Sequence, residues 1–103
     1  MTTLLALDIG GTKVGWGIVE AGDTYEVTER GSIPTDAMRG GADVAARICD
    51  LASSLVASHP QVSGVAVASA GVVDPSTGDI VSATGTMPGW GGTPLGVLLQ
   101  EAT

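Results

Sequence analysis

Apolar residues along this chain first run together, then alternate, then recur every three or four positions, and each change of rhythm marks an element. Residues from about Thr3 to Ile9 are nearly continuously apolar, the pattern of a strand covered on both faces. Val14 to Glu20 predicts a second strand, with Val14, Trp16 and Ile18 on one face and small residues between them. Ala21-Gly22-Asp23 is a turn, and Thr24 to Ile33 reads as a third strand, more polar and nearer an edge. Two hairpin connections make these three strands an antiparallel meander. Pro34 to Gly41 is a loop that ends in paired glycines.

Ala42 to Ser58 is the clearest helix: Val44, Ile48, Leu51 and Leu55 recur at spacings of four, three and four and form one apolar stripe. Asp43 lies in its first turn, where a carboxylate suits the helix dipole, and Ser58-His59-Pro60 ends it. Val62 to Ala70 predicts a fourth strand, broken by Gly71. Asp74-Pro75-Ser76-Thr77-Gly78 is a turn between two short β segments, Val72-Val73 and Asp79 to Ala83. Thr84 to Gly92 is a glycine-rich loop, after which Thr93 reads as an N-cap and Pro94 as the first residue of a last helix. The order of strands and helices is that of an α/β chain, with no internal repeat or linker.

With 103 residues there is room for one small domain, or one lobe of a larger one, spanning 1–103. A net charge of −7 argues against a nucleic-acid surface. The single Cys49 excludes an internal disulfide and a cysteine-based zinc site within the chain. Met1-Thr2-Thr3 lacks the basic start of a secretory signal, and no apolar run is long enough to span a membrane. A cytoplasmic protein without a membrane partner is therefore expected.

The run from Leu4 to Val19 carries the most chemistry. It reads as an apolar strand, a carboxylate (Asp8) near its end, a Gly10-Gly11-Thr12 turn, and a second strand starting near Lys13. Glycines let a turn bend tightly and bring backbone N–H groups close to phosphate oxygens. A hard Mg²⁺ ion needs only one or two carboxylates beside phosphate and water. No Gly-Lys-Ser/Thr follows at Walker spacing, and no glycine fingerprint leads from a strand into a helix. On these residues alone an ordinary hairpin turn fits as well as a phosphate site.

Two further blocks decide between them. Val65 to Ile80, with its Gly71-Val72-Val73-Asp74-Pro75 core, and Met87-Pro88-Gly89-Trp90 followed by Thr93-Pro94-Leu95, stand in order behind Asp8-Ile9-Gly10-Gly11-Thr12-Lys13. Together the three blocks resemble the N-terminal part of ROK-family proteins, ATP-dependent sugar kinases and related sugar-responsive repressors, over nearly the whole chain. The resemblance implies a ribonuclease H-like half-domain of the actin, hexokinase and Hsp70 superfamily. Its mixed sheet would lack the strand that follows the last helix.

The resemblance also implies roles. Asp8 would face the β- and γ-phosphates of ATP and the Mg²⁺, with Gly10, Gly11 and Thr12 offering N–H groups and a hydroxyl and Lys13 adding positive charge. Gly71 would let the sugar approach the backbone, and Gly85, Thr86 and Gly89 would sit in a loop over it. The family commonly has Asn before a Leu-x-Gly-Trp stretch there; this chain has Thr86 before Met87 and is one residue longer, which leaves the sugar open. Trp16 and Trp90 read as packing residues, Asp74 as a hairpin former, Cys49 as a buried thiol and His59 as a capping or solvated residue. Arg30, Arg39 and Arg47 form no obvious cluster.

In ROK kinases the catalytic base is the Asp of an Asn-Asp pair beyond the next strand, and the remaining ATP loops and a cysteine-rich zinc motif lie farther on. No Asn occurs in this chain. The expectation is therefore an N-terminal lobe that meets sugar and ATP through a C-terminal lobe and does not phosphorylate sugar alone. A catalytic residue is expected nowhere in it. A repressor lobe fits less well, because the repressors carry a helix-turn-helix ahead of the phosphate turn; a non-catalytic interaction module, another ATPase of the superfamily and a homo-oligomer remain open.

Overall fold

A computed structural model of the chain describes residues 2–69, 71–82 and 87–103. Strands β1 (Thr2–Ile9), β2 (Lys13–Ala21) and β3 (Tyr25–Pro34) form the expected antiparallel meander. Helix α1 (Gly41–Ser58) then carries the chain across to β4 (Val62–Ser69), which pairs parallel with β1, so the sheet order is β3-β2-β1-β4. A separate ribbon follows, β5 (Val72–Val73) with β6 (Ile80–Ser82), and then α2 (Leu95–Ala102). This mixed sheet with its crossover helix is a ribonuclease H-like half-domain.

Register explains the core. Leu5 pairs with Ile18, Leu7 with Trp16 and Ile9 with Val14, so the apolar positions of both strands share one face. Val44, Ala45, Ile48 and Ala52 of α1 and Leu95 and Leu99 of α2 join them in one buried cluster. Each fully buried Leu, Ile or Val contributes about 1.5–3 kcal/mol. The buried stripe of α1 starts at Gly41 and takes in Ala45 and Ala52, while Leu51 and Leu55 are only half-buried. Trp16 lies across Gly31, where a Cβ would stand 2.7 Å from the indole ring.

Three expectations need correction. β1 is not covered on both faces among the described residues: Leu4 and Ala6 are half-buried and Asp8 is exposed, because both helices pack on the Leu5–Leu7–Ile9 side. Thr93 does not cap α2. Its hydroxyl is buried and donates to the Trp90 carbonyl (2.6 Å), and Pro94 is the N-cap, with no side-chain cap bond. Cys49 is half-buried rather than enclosed. The predicted strand ends at Ala70 and Ala83 lie outside the described residues.

Candidate functional site

Four segments meet at the carboxyl end of β1. The β1–β2 turn, Gly10 to Lys13, closes with the Gly10 N–H donating to the Lys13 carbonyl at 3.0 Å. Parallel pairing of Ile9 with Ser69 brings the end of β4 alongside it. The indole N–H of Trp90, fully buried, donates to the Ser69 hydroxyl at 3.1 Å and draws in the 87–93 loop. The fourth segment is Pro34 to Gly41, held by Thr35. Ligands of open α/β sheets bind outside the carboxyl ends of parallel strands, and this is that end.

Thr35 is fully buried and grips the turn twice: its hydroxyl donates to the Gly10 carbonyl (2.7 Å) and its N–H to the Thr12 carbonyl (3.0 Å). The carbonyls of Gly10, Thr12 and Lys13 are thus all engaged within the protein. Arg47 of α1 in turn donates to the Thr35 carbonyl, to the Pro34 carbonyl (3.0 Å) and to Asp43 (2.8 Å). Arg39 also reaches Asp43 (3.4 Å), so two of the three arginines do cluster, on one carboxylate. Sequence reasoning passed over Thr35 altogether, and the signal for the arginines was there: 39, 43 and 47 stand at i, i+4 spacing.

Asp8 is exposed on the outer sheet face. Its cross-strand partner is Gly15, and Lys13, two residues from Gly15, shares that face by strand alternation. An open groove of about 720 Å³ runs from Asp8 past Ala6, Gly17, Ala66 and Ala68 to Arg30. Small side chains there leave the carboxylate accessible from the turn side. Among the described residues no three His, Cys, Asp or Glu converge as a metal cluster. A single carboxylate beside exposed Thr12 is instead the donor set that suits a cation carried by a polyphosphate.

Gly71 follows β4 at the same end, exposed, with φ +91°, a conformation side chains resist. Gly89 also has positive φ (+75°), but its backbone lies against Gly41 at the start of α1, so close packing accounts for it without a ligand. Gly85 and Thr86 lie outside the described residues. Asp74 is occupied in its own turn: the Ser76 N–H (2.9 Å) and hydroxyl (2.7 Å) donate to it, holding its carboxyl below the usual range. His59 caps the Leu55 carbonyl (2.8 Å) and pairs with Glu29 of β3 (2.6 Å), a partner 30 residues away.

No protein-family model matches the chain. An uncharacterised protein of Clostridium perfringens is 32% identical over 102 residues, covering 98% of this chain and 33% of that protein. A ROK hexokinase from Thermus thermophilus superposes with a TM-score of 0.77 at 26% identity, over 99% of this chain and 32% of its own. An inorganic polyphosphate/ATP-glucomannokinase from Arthrobacter does so with a TM-score of 0.71 at 27% identity, over 99% of this chain and 41% of its own. The chain thus spans about a third of the length of the curated relative it matches. The motif order along the sequence, the sheet topology and these likenesses agree: over nearly its whole length the chain is similar to solved sugar kinases, a ROK hexokinase among them, and it matches about a third to two fifths of their length.

Proposed function

We propose that this chain is the phosphate-turn part of an ATP-dependent sugar kinase. Gly11 and Thr12 offer N–H groups and a hydroxyl to the phosphates, Gly10 shapes the turn by closing its own N–H on the Lys13 carbonyl, Lys13 adds positive charge, and Asp8 faces the Mg²⁺. Gly71 and Gly89, with Gly85 and Thr86, belong to the pocket of a glucose-like hexose or an N-acetylated hexosamine. The observation that carries this reading is the turn itself: its carbonyls at 10, 12 and 13 are tied back into the protein, beside an exposed carboxylate at the carboxyl end of parallel strands.

A bound Mg-nucleotide would supply the transferable phosphoryl group with part of its charge screened. The chain's own residues bind and orient it: amide dipoles fixed before the ligand arrives need no reorganisation. Proton removal from the sugar hydroxyl falls to a group outside this chain, since Asp74 is held in its own turn. Sugar phosphorylation by the chain alone is accordingly absent, and a second lobe closes the cleft against water.

Backbone amide NMR of the chain, titrated with MgAMPPNP and then with glucose or N-acetylmannosamine, tests the reading. Nucleotide should shift the amides of residues 8–13, and sugar those around Gly71 and Gly89. A half-site with a Kd of about 20 mM gains only about 0.1 kcal/mol from 5 mM ligand, so its melting temperature stays put while local amides respond. Nucleotide shifts that leave the 8–13 turn untouched would sink the proposal.

A further inference from the structure

We propose that Thr35 is a positioning residue for the phosphate turn, setting which way its peptide groups point. The inference rests on the nucleotide reading above and deepens it. A buried threonine hydroxyl costs stability unless it is hydrogen-bonded, and valine has the same shape without that need. Here the hydroxyl reaches across 25 residues of sequence to the Gly10 carbonyl. The N–H of the same residue takes the Thr12 carbonyl. One side chain and its own peptide thereby hold two alternate carbonyls of a four-residue turn on the protein side.

That direction matters for an anion. A carbonyl oxygen aimed at a polyphosphate repels it, whereas an N–H attracts it, and each peptide group offers one or the other to a given side. Freed from Thr35, the Gly10-Gly11 peptide, with glycine on both sides, can turn over at little steric cost because glycine adopts either orientation, and the Thr12-Lys13 peptide loses the N–H that holds its carbonyl. Thr35 does not itself contact the anion. It is held from behind: Arg47 binds the Thr35 and Pro34 carbonyls and is oriented by Asp43, so the brace runs from α1 to the turn.

The test compares Thr35→Val and Thr35→Ser with the unaltered chain, using magnesium tripolyphosphate as the probe and the amides of Gly11 and Lys13, the N–H groups of the two held peptides, as the readout. Thr35→Val should weaken the titration at least fivefold and speed hydrogen exchange at the Gly10 amide, while the amides of α1 keep their protection. Thr35→Ser, which retains the hydroxyl, should restore both to within twofold. Equal titrations of the valine variant and the unaltered chain, or failure of serine to restore binding, would overturn the positioning role alone. If tripolyphosphate moves no turn amide in the unaltered chain, the phosphate reading falls and this inference with it. Should the valine variant not fold, Arg47→Gln loosens the brace from its solvent side; it should weaken the titration at least twofold, and an unchanged titration overturns the proposal.

Discussion

The backbones of Gly41 and Gly89 meet with no side chain between them: a Cβ on Gly41 would overlap the Gly89 carbonyl and stand 2.8 Å from the Trp90 nitrogen. The first turn of α1 is thereby pressed onto the 87–93 loop, which Trp90 pins to the end of β4. Gly41→Ala tests this contact by its sign. On helix propensity alone alanine would stabilise α1 by about 1 kcal/mol. Overpacking against fixed backbone should instead destabilise by about 2 kcal/mol, lowering the melting temperature by roughly 10 °C. A melting temperature that rises would show that the loop does not hold α1.

The pair between His59 and Glu29 predicts a pH dependence. Glu29 as hydrogen-bond partner, then the Leu55 carbonyl, raise the His59 pKa above its ordinary 6.5. A raised folded-state pKa means stabilisation that is fully present below the unfolded value and lost as pH rises through the folded one. The chain should therefore lose stability as pH climbs from about 6.5 through that raised value, and Glu29→Gln should flatten the dependence. Thermal melts from pH 5.5 to 8.5 check it; an unchanged slope in the variant would leave the pair without a role in stability.

Cys49 lines a groove of about 640 Å³ between α1 and α2, shared with Ala45, Gly92 and Leu98. Burial, and then the neighbouring Asp50 charge, push its thiol pKa above the ordinary value of 9.0. Only the thiolate is nucleophilic, so alkylation by iodoacetamide at pH 8 should run several-fold slower than that of a free cysteine. Denaturant should restore the ordinary rate. A native rate equal to the denatured one would contradict this environment.

Asp8→Asn separates binding from folding. The side chain is exposed, so stability should change by no more than about 0.5 kcal/mol. The Mg²⁺-dependent part of the nucleotide-induced amide shifts at residues 8–13 should vanish. Shifts that keep their full Mg²⁺ dependence would remove Asp8 from the cation's surroundings.

These sites differ in how far the amino-acid order reveals them. β2 and α1 could be read directly because their apolar positions are periodic, and β1 as a strand from its apolar run, but not which of its faces is covered. The Asp8 to Lys13 turn could be read because paired glycines between two strands mark a tight turn, its chemistry coming from the resemblance. Thr35 left no trace: a hydroxyl bonding 25 residues back has no period, and a lone threonine in a loop looks solvated. The Gly41–Gly89 contact is equally silent, since glycine names a need for room or for unusual φ without naming the neighbour. Thr93 misled because its position beside Pro94 suits a cap, whereas burial gave its hydroxyl a nearer acceptor in Trp90. The motif residues at 85 and 86 stay as the sequence left them.

The sheet order places β4 at an edge of the described sheet, and its eight residues, Val62 to Ser69, include no charge and no proline. An uncharged, valine-rich strand at the edge of a sheet is a template for its own kind. Colloidal stability of the purified chain must then come from elsewhere, from mutual repulsion between molecules each carrying −7. Such repulsion fades as the Debye length shrinks from about 10 Å at 0.1 M salt to about 3 Å at 1 M. Concentrated, salty solutions are thus where this chain would gel or precipitate, and dilute, low-salt ones where it stays dispersed.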